Sequence, residues 1–188
     1  MERSQQEDIM KLIRKRHTRL NPTVTLDTVR QFEAQYQITL PQEYVWFITT
    51  VGNGYDASRV VPGTLRLLYP LEHSASDRLS RPFPLEDPWF FHTDQCRHPE
   101  SEPQYSYNIS ADPDGLWERA QNGYLTLTTE KKRNLPLEQA VLLVVNGAAR
   151  GQIWMLNYNS CQGLGSFGRL GTTSFFDWLE GHLIGFIT

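Results

Sequence analysis

Along this chain the spacing of hydrophobic residues changes from helical, to alternating, to unbroken apolar runs, and then back to helical. Ile9, Leu12 and Ile13, followed by His17 and Leu20, fall on one side of a helix whose other side is basic, until Asn21-Pro22 interrupts it. This pattern predicts a helix over residues 5–18. A second helix begins after Thr25, an N-cap residue with Asp27 in the first turn, and places Leu26, Val29, Phe32 and Tyr36 on a common stripe that Ile38 and Leu40 close off. Pro41 suits the first turn of a third helix, where its missing amide hydrogen would have no intrahelical partner. Tyr44, Phe47, Ile48 and Val51 form the buried stripe of that helix, and Gly52-Asn53-Gly54 ends it with residues that tolerate positive φ.

The middle of the chain alternates instead. Leu65, Leu67 and Tyr69 interleave with Thr64, Arg66 and Leu68, as in a strand with one face more buried than the other. Residues 72–123 carry Pro82, Pro84, Pro88, Pro99, Pro103 and Pro113, which block regular ladders. Irregular structure is expected there, with a short helix near Trp89 and a strand over residues 105–109. The aromatics Phe83, Trp89, Phe90, Phe91, Tyr105, Tyr107 and Trp117 indicate that much of it packs down. Regular alternation returns at Tyr124-Leu125-Thr126-Leu127-Thr128-Thr129. Residues 142–145 and 153–156 are apolar on both faces and predict neighbouring central strands, joined by a hairpin over residues 146–151. Ser174 then caps a last helix in which Phe175, Trp178, Leu179 and Leu183 share a face, ending near Gly185. Helices first, strands in the middle and one helix last give an α+β class, without the strand and helix alternation of a doubly wound sheet.

Composition adds bounds. The 188 residues are 39% hydrophobic and 21% charged, with no apolar run long enough to cross a bilayer, and are read as one domain spanning residues 1–188. Within it, residues 1–20 hold the N-terminal helix and residues 72–122 an acidic, proline-rich, insertion-like segment. The start Met1-Glu2-Arg3-Ser4-Gln5-Gln6-Glu7-Asp8 lacks the pattern of a signal peptide, and the two cysteines, Cys96 and Cys161, are too few for a disulfide framework. A cytoplasmic protein with free thiols is expected. The net charge is only -3, yet between residues 71 and 118 ten acids (Glu72, Asp77, Glu86, Asp87, Asp94, Glu100, Glu102, Asp112, Asp114 and Glu118) face three arginines (Arg78, Arg81 and Arg97), an excess of seven. A field of that sign attracts a basic protein and repels nucleic-acid phosphates, so no nucleic-acid or membrane partner is expected.

The helix with Phe32 and Tyr36, the turn and helix Leu40-Pro41-Gln42-Glu43-Tyr44-Val45-Trp46-Phe47, the strand beginning Gly123-Tyr124-Leu125, the strand pair around residues 146–155 and the terminal Ser174-Phe175-Phe176-Asp177-Trp178-Leu179 resemble, in order and spacing, the SMI1/KNR4 family of the SUKH superfamily. The resemblance covers residues 24–54 and 123–183. It departs where many members carry a Gly- and Asp-rich turn and this chain has Glu130-Lys131-Lys132-Arg133-Asn134. It implies a mixed, largely antiparallel sheet flanked by helices and used as a protein-binding scaffold. It also implies, for a bacterial member, an immunity protein that binds and neutralises a cognate antibacterial toxin stoichiometrically. A monomer or weak homodimer is expected. Combined with the acid excess, this makes Glu72, Asp77, Glu86, Asp87, Asp94, Glu100, Glu102, Asp112 and Asp114 the expected contacts to a basic toxin. A regulatory scaffold for a host partner and a hydrolase with scattered catalytic residues are the alternatives.

Signals for chemistry are sparse. His92, Cys96 and His98 have metal-ligand types but no fourth ligand at a paired spacing, so they are read as loop residues and no metal is expected. Asp112-Pro113-Asp114-Gly115 lacks the ligand spacing of a calcium loop and is read as a turn. Gly163-Leu164-Gly165-Ser166-Phe167-Gly168 matches a dinucleotide fingerprint but follows no first strand of a βαβ unit, so it is read as a loop and no cofactor is expected. No nucleophile elbow occurs, His73-Ser74 and His182 stand in no catalytic pattern, and the expectation is a protein without enzymatic activity. The basic residues Lys11, Arg14, Lys15, Arg16 and Arg19 have no interleaved aromatics and are read as a solvated helix face, or one that pairs with the acidic loop of a second copy.

Overall fold

A computed structural model of the protein describes residues 3–15, 19–56, 67–90, 115–130, 139–157, 166–170 and 174–184. The fold is α+β. Helix α1 (Arg3–Lys15) precedes the short strand β1 (Arg19–Leu20), helix α2 (Leu26–Tyr36) and helix α3 (Gln42–Trp46), which continues as a π-helical turn over Phe47–Val51. Strands β2 (Tyr55–Asp56), β3 (Leu67–Leu68) and β4 (Trp89–Phe90) and helix α4 (Leu116–Ala120) follow. Strands β5 (Tyr124–Glu130), β6 (Gln139–Val144), β7 (Ile153–Asn157) and β8 (Ser166–Arg169) then lead to helix α5 (Phe175–Ile184). Two expectations are corrected: Trp89 lies in a strand, because it pairs with Phe167 of β8, and the Gly-rich stretch ends in that same β8 instead of remaining a loop throughout. The strand expected over residues 105–109 lies outside the described residues.

The large sheet has the order β4-β8-β7-β6-β5 and the small one β1-β2-β3, and every described strand pair is antiparallel. Strands β6 and β7 are central, as their two-sided apolar runs require. Leu143, Val145 and Ile153 face a core shared with α1, α2, α3 and α5, while Leu142, Val144, Trp154 and Leu156 face a second core closed by Phe83, Leu85 and Ala120. An irregular segment and one short helix therefore do on the second face what four helices do on the first.

Edge strand β5 is covered by the chain just before it. A bulge between Thr126 and Thr128 leaves Leu127 without a partner on β6, and its carbonyl accepts the amide of Tyr69 at 2.7 Å. The Thr126 amide donates to the Ser74 hydroxyl at 2.8 Å, and the Gly123 amide to the Arg78 carbonyl at 2.9 Å. These contacts occupy edge groups that would otherwise template pairing with another chain. Past the edge, the backbone of Phe83 runs close against Gly123 and Gly147, so close that a Cβ on Gly123 would lie 2.5 Å from the Phe83 nitrogen. Both glycines also have positive φ, 71° and 105°, which a side chain would oppose. Asn146 completes the clasp, donating from Nδ2 to the carbonyls of Leu79 (3.2 Å) and Ser80 (2.9 Å), while its own carbonyl accepts the Phe83 amide at 3.0 Å.

The C-terminal helix is docked by the third helix. The Phe176 amide, one of the first-turn donors of α5 that lack an intrahelical partner, donates to Glu43 Oε2 at 3.0 Å. The Asp177 amide donates to the Ser174 hydroxyl at 3.1 Å, so a hydroxyl and a carboxylate cap the same turn. Around this polar joint the rings of Tyr44 and Phe175 meet edge to face at 5.2 Å, Trp46 and Phe176 at 5.3 Å, and Phe47 and Phe175 at 5.7 Å. Each such pair contributes about 0.5–1.5 kcal/mol beyond area burial. Glu43→Ala removes the capping carboxylate and leaves the rings; it is expected to cost about 1–2 kcal/mol, measured as a lower urea midpoint with unchanged slope.

Candidate functional site

The described part of the acidic segment is held against the body by buried anchors. Leu71 and Leu79 insert into the helix-side core and Phe83 and Leu85 into the opposite core, so residues 71–85 pass from one sheet face to the other around β5. Two 3-10 turns, Leu71–Ser74 and Asp77–Ser80, form along this path because the apolar anchors are separated by short polar runs. Glu72 and Asp77 between these anchors, and Glu86 and Asp87 directly after the last of them, are exposed. The remaining sequence-predicted contacts, Asp94, Glu100, Glu102, Asp112 and Asp114, lie outside the described residues.

The local field is weaker than the count of acids suggested. Arg78 donates to Glu118 at 2.7 Å, joining the turn to α4, and Arg169 of β8 donates to the Glu86 backbone carbonyl at 2.6 Å, which brings a positive charge to this stretch of chain. Both arginines are exposed, so these pairs position charges more than they stabilise the fold.

Glu72 differs from the other three because it is engaged with the interior. Asn53 is 5% exposed, and its Nδ2 donates to Glu72 Oε2 at 2.9 Å while its Oδ1 accepts the Leu71 amide at 2.8 Å. The Asn53 carbonyl also accepts Asn21 Nδ2 at 2.9 Å, and the Asn53 amide donates to the Pro22 carbonyl at 3.3 Å. One residue thereby ties three segments: its backbone holds Asn21 and Pro22 ahead of α2, and its side chain holds the first turn of the acidic segment to the end of α3. Gly54 beside it has φ 85°, and a Cβ there would fall 2.3 Å from the Leu68 carbonyl oxygen. Gly52 has extended backbone at φ 172°, so of the three residues that tolerate positive φ only Gly54 uses it. The Tyr44 hydroxyl is held well above the usual tyrosine range, first by burial and then by the negative charge of Glu72.

The other residues singled out from sequence take packing roles. His73 stacks on Tyr69 with ring centroids 3.8 Å apart, and Ser74 caps the β5 edge. His182 stacks on Trp178 at 4.8 Å and lies 6.2 Å from Tyr55. His92, Cys96, His98, Asp112 and Asp114 lie outside the described residues, and Gly115 precedes α4 with φ 60°. Among the described residues no three His, Cys, Asp or Glu side chains are grouped to hold a metal ion, and no helix is long and apolar enough to cross a membrane. No protein-family model matches the chain, and no curated protein and no solved structure matches it.

Sequence reasoning missed two features. One is the Asn53 joint, whose only signal was a polar residue between two glycines. The other is a shallow groove lined by Gln6, Glu7, Met10, Lys11, Arg14 and Trp46. Its signal was Trp46, a large aromatic displaced from the buried stripe of Tyr44, Phe47, Ile48 and Val51.

Asn53→Ala leaves the buried Leu71 amide without its acceptor and is expected to cost about 2–3 kcal/mol in chemical denaturation. Tyr44 also sets an alkaline limit. A phenol whose folded pKa is raised contributes stability that is fully present below the ordinary value of 10.0 and is lost as pH rises through the folded value. Stability is expected to fall above pH ~10 by up to about 1.4 kcal/mol per pH unit from this group, and Tyr44→Phe makes that fall shallower in pH-dependent urea titrations.

Proposed function

We propose that this protein is an immunity protein of the SMI1/KNR4 type, which binds and neutralises a cognate antibacterial toxin by stoichiometric contact and performs no chemistry of its own. The observation that carries the reading is the contact between its two signature segments. Glu43 and Tyr44 of the first meet the Phe176 amide and the Phe175 ring of the second. Residues that are 133 positions apart and that carry the family resemblance are thus partners in one packing joint, as expected of a shared scaffold in which the variable part does the recognising.

The acidic segment supplies that variable part. Asp77 is exposed between the buried Leu71 and Leu79, and Glu86 and Asp87 are exposed between the buried Leu85 and the partly buried Trp89. A rigidly held acidic surface steers a basic partner and loses little conformational freedom on binding it. Glu72, bonded to Asn53, is a framework acid at the border of this surface. Arg78 and Arg169 keep the described part from being uniformly negative, which favours a partner with an interrupted basic pattern over any polycation.

Co-expression with a secreted toxin whose gene is found next to its own tests the reading: the pair is expected to give survival and a co-purifying complex. Survival without a complex, or a complex that leaves the toxin lethal, defeats it. In the isolated pair, the triple change Asp77→Lys, Glu86→Lys and Asp87→Lys is expected to slow association about tenfold at about 10 mM salt, with the difference shrinking at about 500 mM. Stopped-flow association rates read both.

A further inference from the structure

A groove on α1 has chemistry opposite to that of the acidic segment. The groove there has a volume of about 370 Å³, is open to solvent, and has Met10 and the partly buried ring of Trp46 as its apolar part. Trp46 is fixed from behind by its edge-to-face contact with Phe176, and α1 is tied to the same helix by Gln5 Nε2 donating to Asp177 Oδ1 at 3.0 Å. The walls are therefore two elements locked to a common third, and the groove is preformed.

Its size is near the lower end of the ~300–1,000 Å³ typical of ligand pockets. An open cleft of that size accepts one large apolar side chain and the backbone beside it more readily than it encloses a cofactor. The charged lining residues are Glu7, Lys11 and Arg14. Lys11 is already engaged at 2.8 Å by Asp8, whose hydrogen bond and charge raise its pKa above the usual lysine value. Arg14 has no carboxylate partner among the described residues, and the exposed Lys15 follows it. Glu7 is engaged as well, so the charge left over at the groove is the Arg14 guanidinium, on a chain whose net charge is -3.

We infer that this groove docks an acidic peptide segment of a partner protein, with an aromatic or large aliphatic side chain seated between Met10 and Trp46 and a neighbouring carboxylate on Arg14. A guanidinium is suited to bidentate carboxylate recognition, and the indole offers both an apolar face and an N–H donor. The single ring favours a peptide over a single-stranded nucleic acid, which is bound by successive aromatics stacking on successive bases. This surface uses none of the acids assigned to the toxin and stands or falls separately from that reading.

The test is a two-dimensional NMR titration of the full ¹⁵N-labelled chain with a synthetic peptide of alternating Glu and Asp around one central Phe. The Trp46 indole N–H resonance, assigned by its loss in Trp46→Phe, is expected to shift saturably by about 1 mM peptide. Arg14→Glu is expected to weaken binding at least about tenfold while Arg14→Lys retains most of it, with the remaining indole resonances showing that each variant is folded. Replacing the peptide's Phe by Ala is expected to abolish the Trp46 shift. Absence of any shift up to about 5 mM, equal affinity in Arg14→Glu, or tighter binding of oligothymidylate at the same resonance overturns the proposal. So does concentration-dependent dimerisation that Arg14→Glu abolishes, which assigns the groove to a second copy.

Discussion

The carboxylate of Glu43 beneath the first turn of α5 is the contact on which the rest of the helical layer depends. It satisfies the Phe176 amide at 3.0 Å and so sets the position at which α5 starts relative to α3. The rings of Phe175 and Phe176 then meet Tyr44, Phe47 and Trp46 edge to face, and Trp178 and Leu179, both 0% exposed, extend the same face into the core. A helix end buried without such a partner would leave donors unsatisfied, and burial of the aromatics would have to offset that cost. Here the cap and the burial act together.

That joint also relates the two surfaces to one scaffold. Trp46 is held by Phe176, and α1 reaches Asp177 through Gln5, so the α1 groove is built directly on the first turn of α5. The acidic segment is built from the other direction, by the clasp of Asn146, Gly147 and Gly123 around Phe83 and by the Asn53 joint at Glu72. Backbone passing this close to backbone leaves no room for a Cβ, which is why glycines occupy Gly123 and Gly147. Turns that look interchangeable in a linear reading are thus constrained by the irregular segment around Phe83, 40 or more residues away in the chain.

Much of the fold was legible because periodicity records which face is buried. Thr25 does cap α2, its hydroxyl accepting the Thr28 amide at 3.1 Å, and the stripe of Tyr44, Phe47, Ile48 and Val51 is buried as its spacing required. The two-sided apolar runs of β6 and β7 placed them in the centre of the sheet before any pairing was known. Trp89 was misread as helical because two residues of strand leave no periodicity, and pairing with β8 alone decides their conformation. Helix α4 escaped for the same reason of length, five residues among prolines and acids.

Local sequence determined where helices start, which faces are apolar and that the protein is α+β, because capping and amphipathic spacing act within a few residues. Only the tertiary structure decided what the polar residues do. Glu72 was one acid among ten until Asn53 drew it toward the interior, and Glu43 was a first-turn glutamate until α5 came to rest on it. Trp46 became the wall of a groove only once α1 lay beside it. Hydrogen bonds and charges between residues far apart in the chain depend on distances set by the packed core, and no local pattern carries that information.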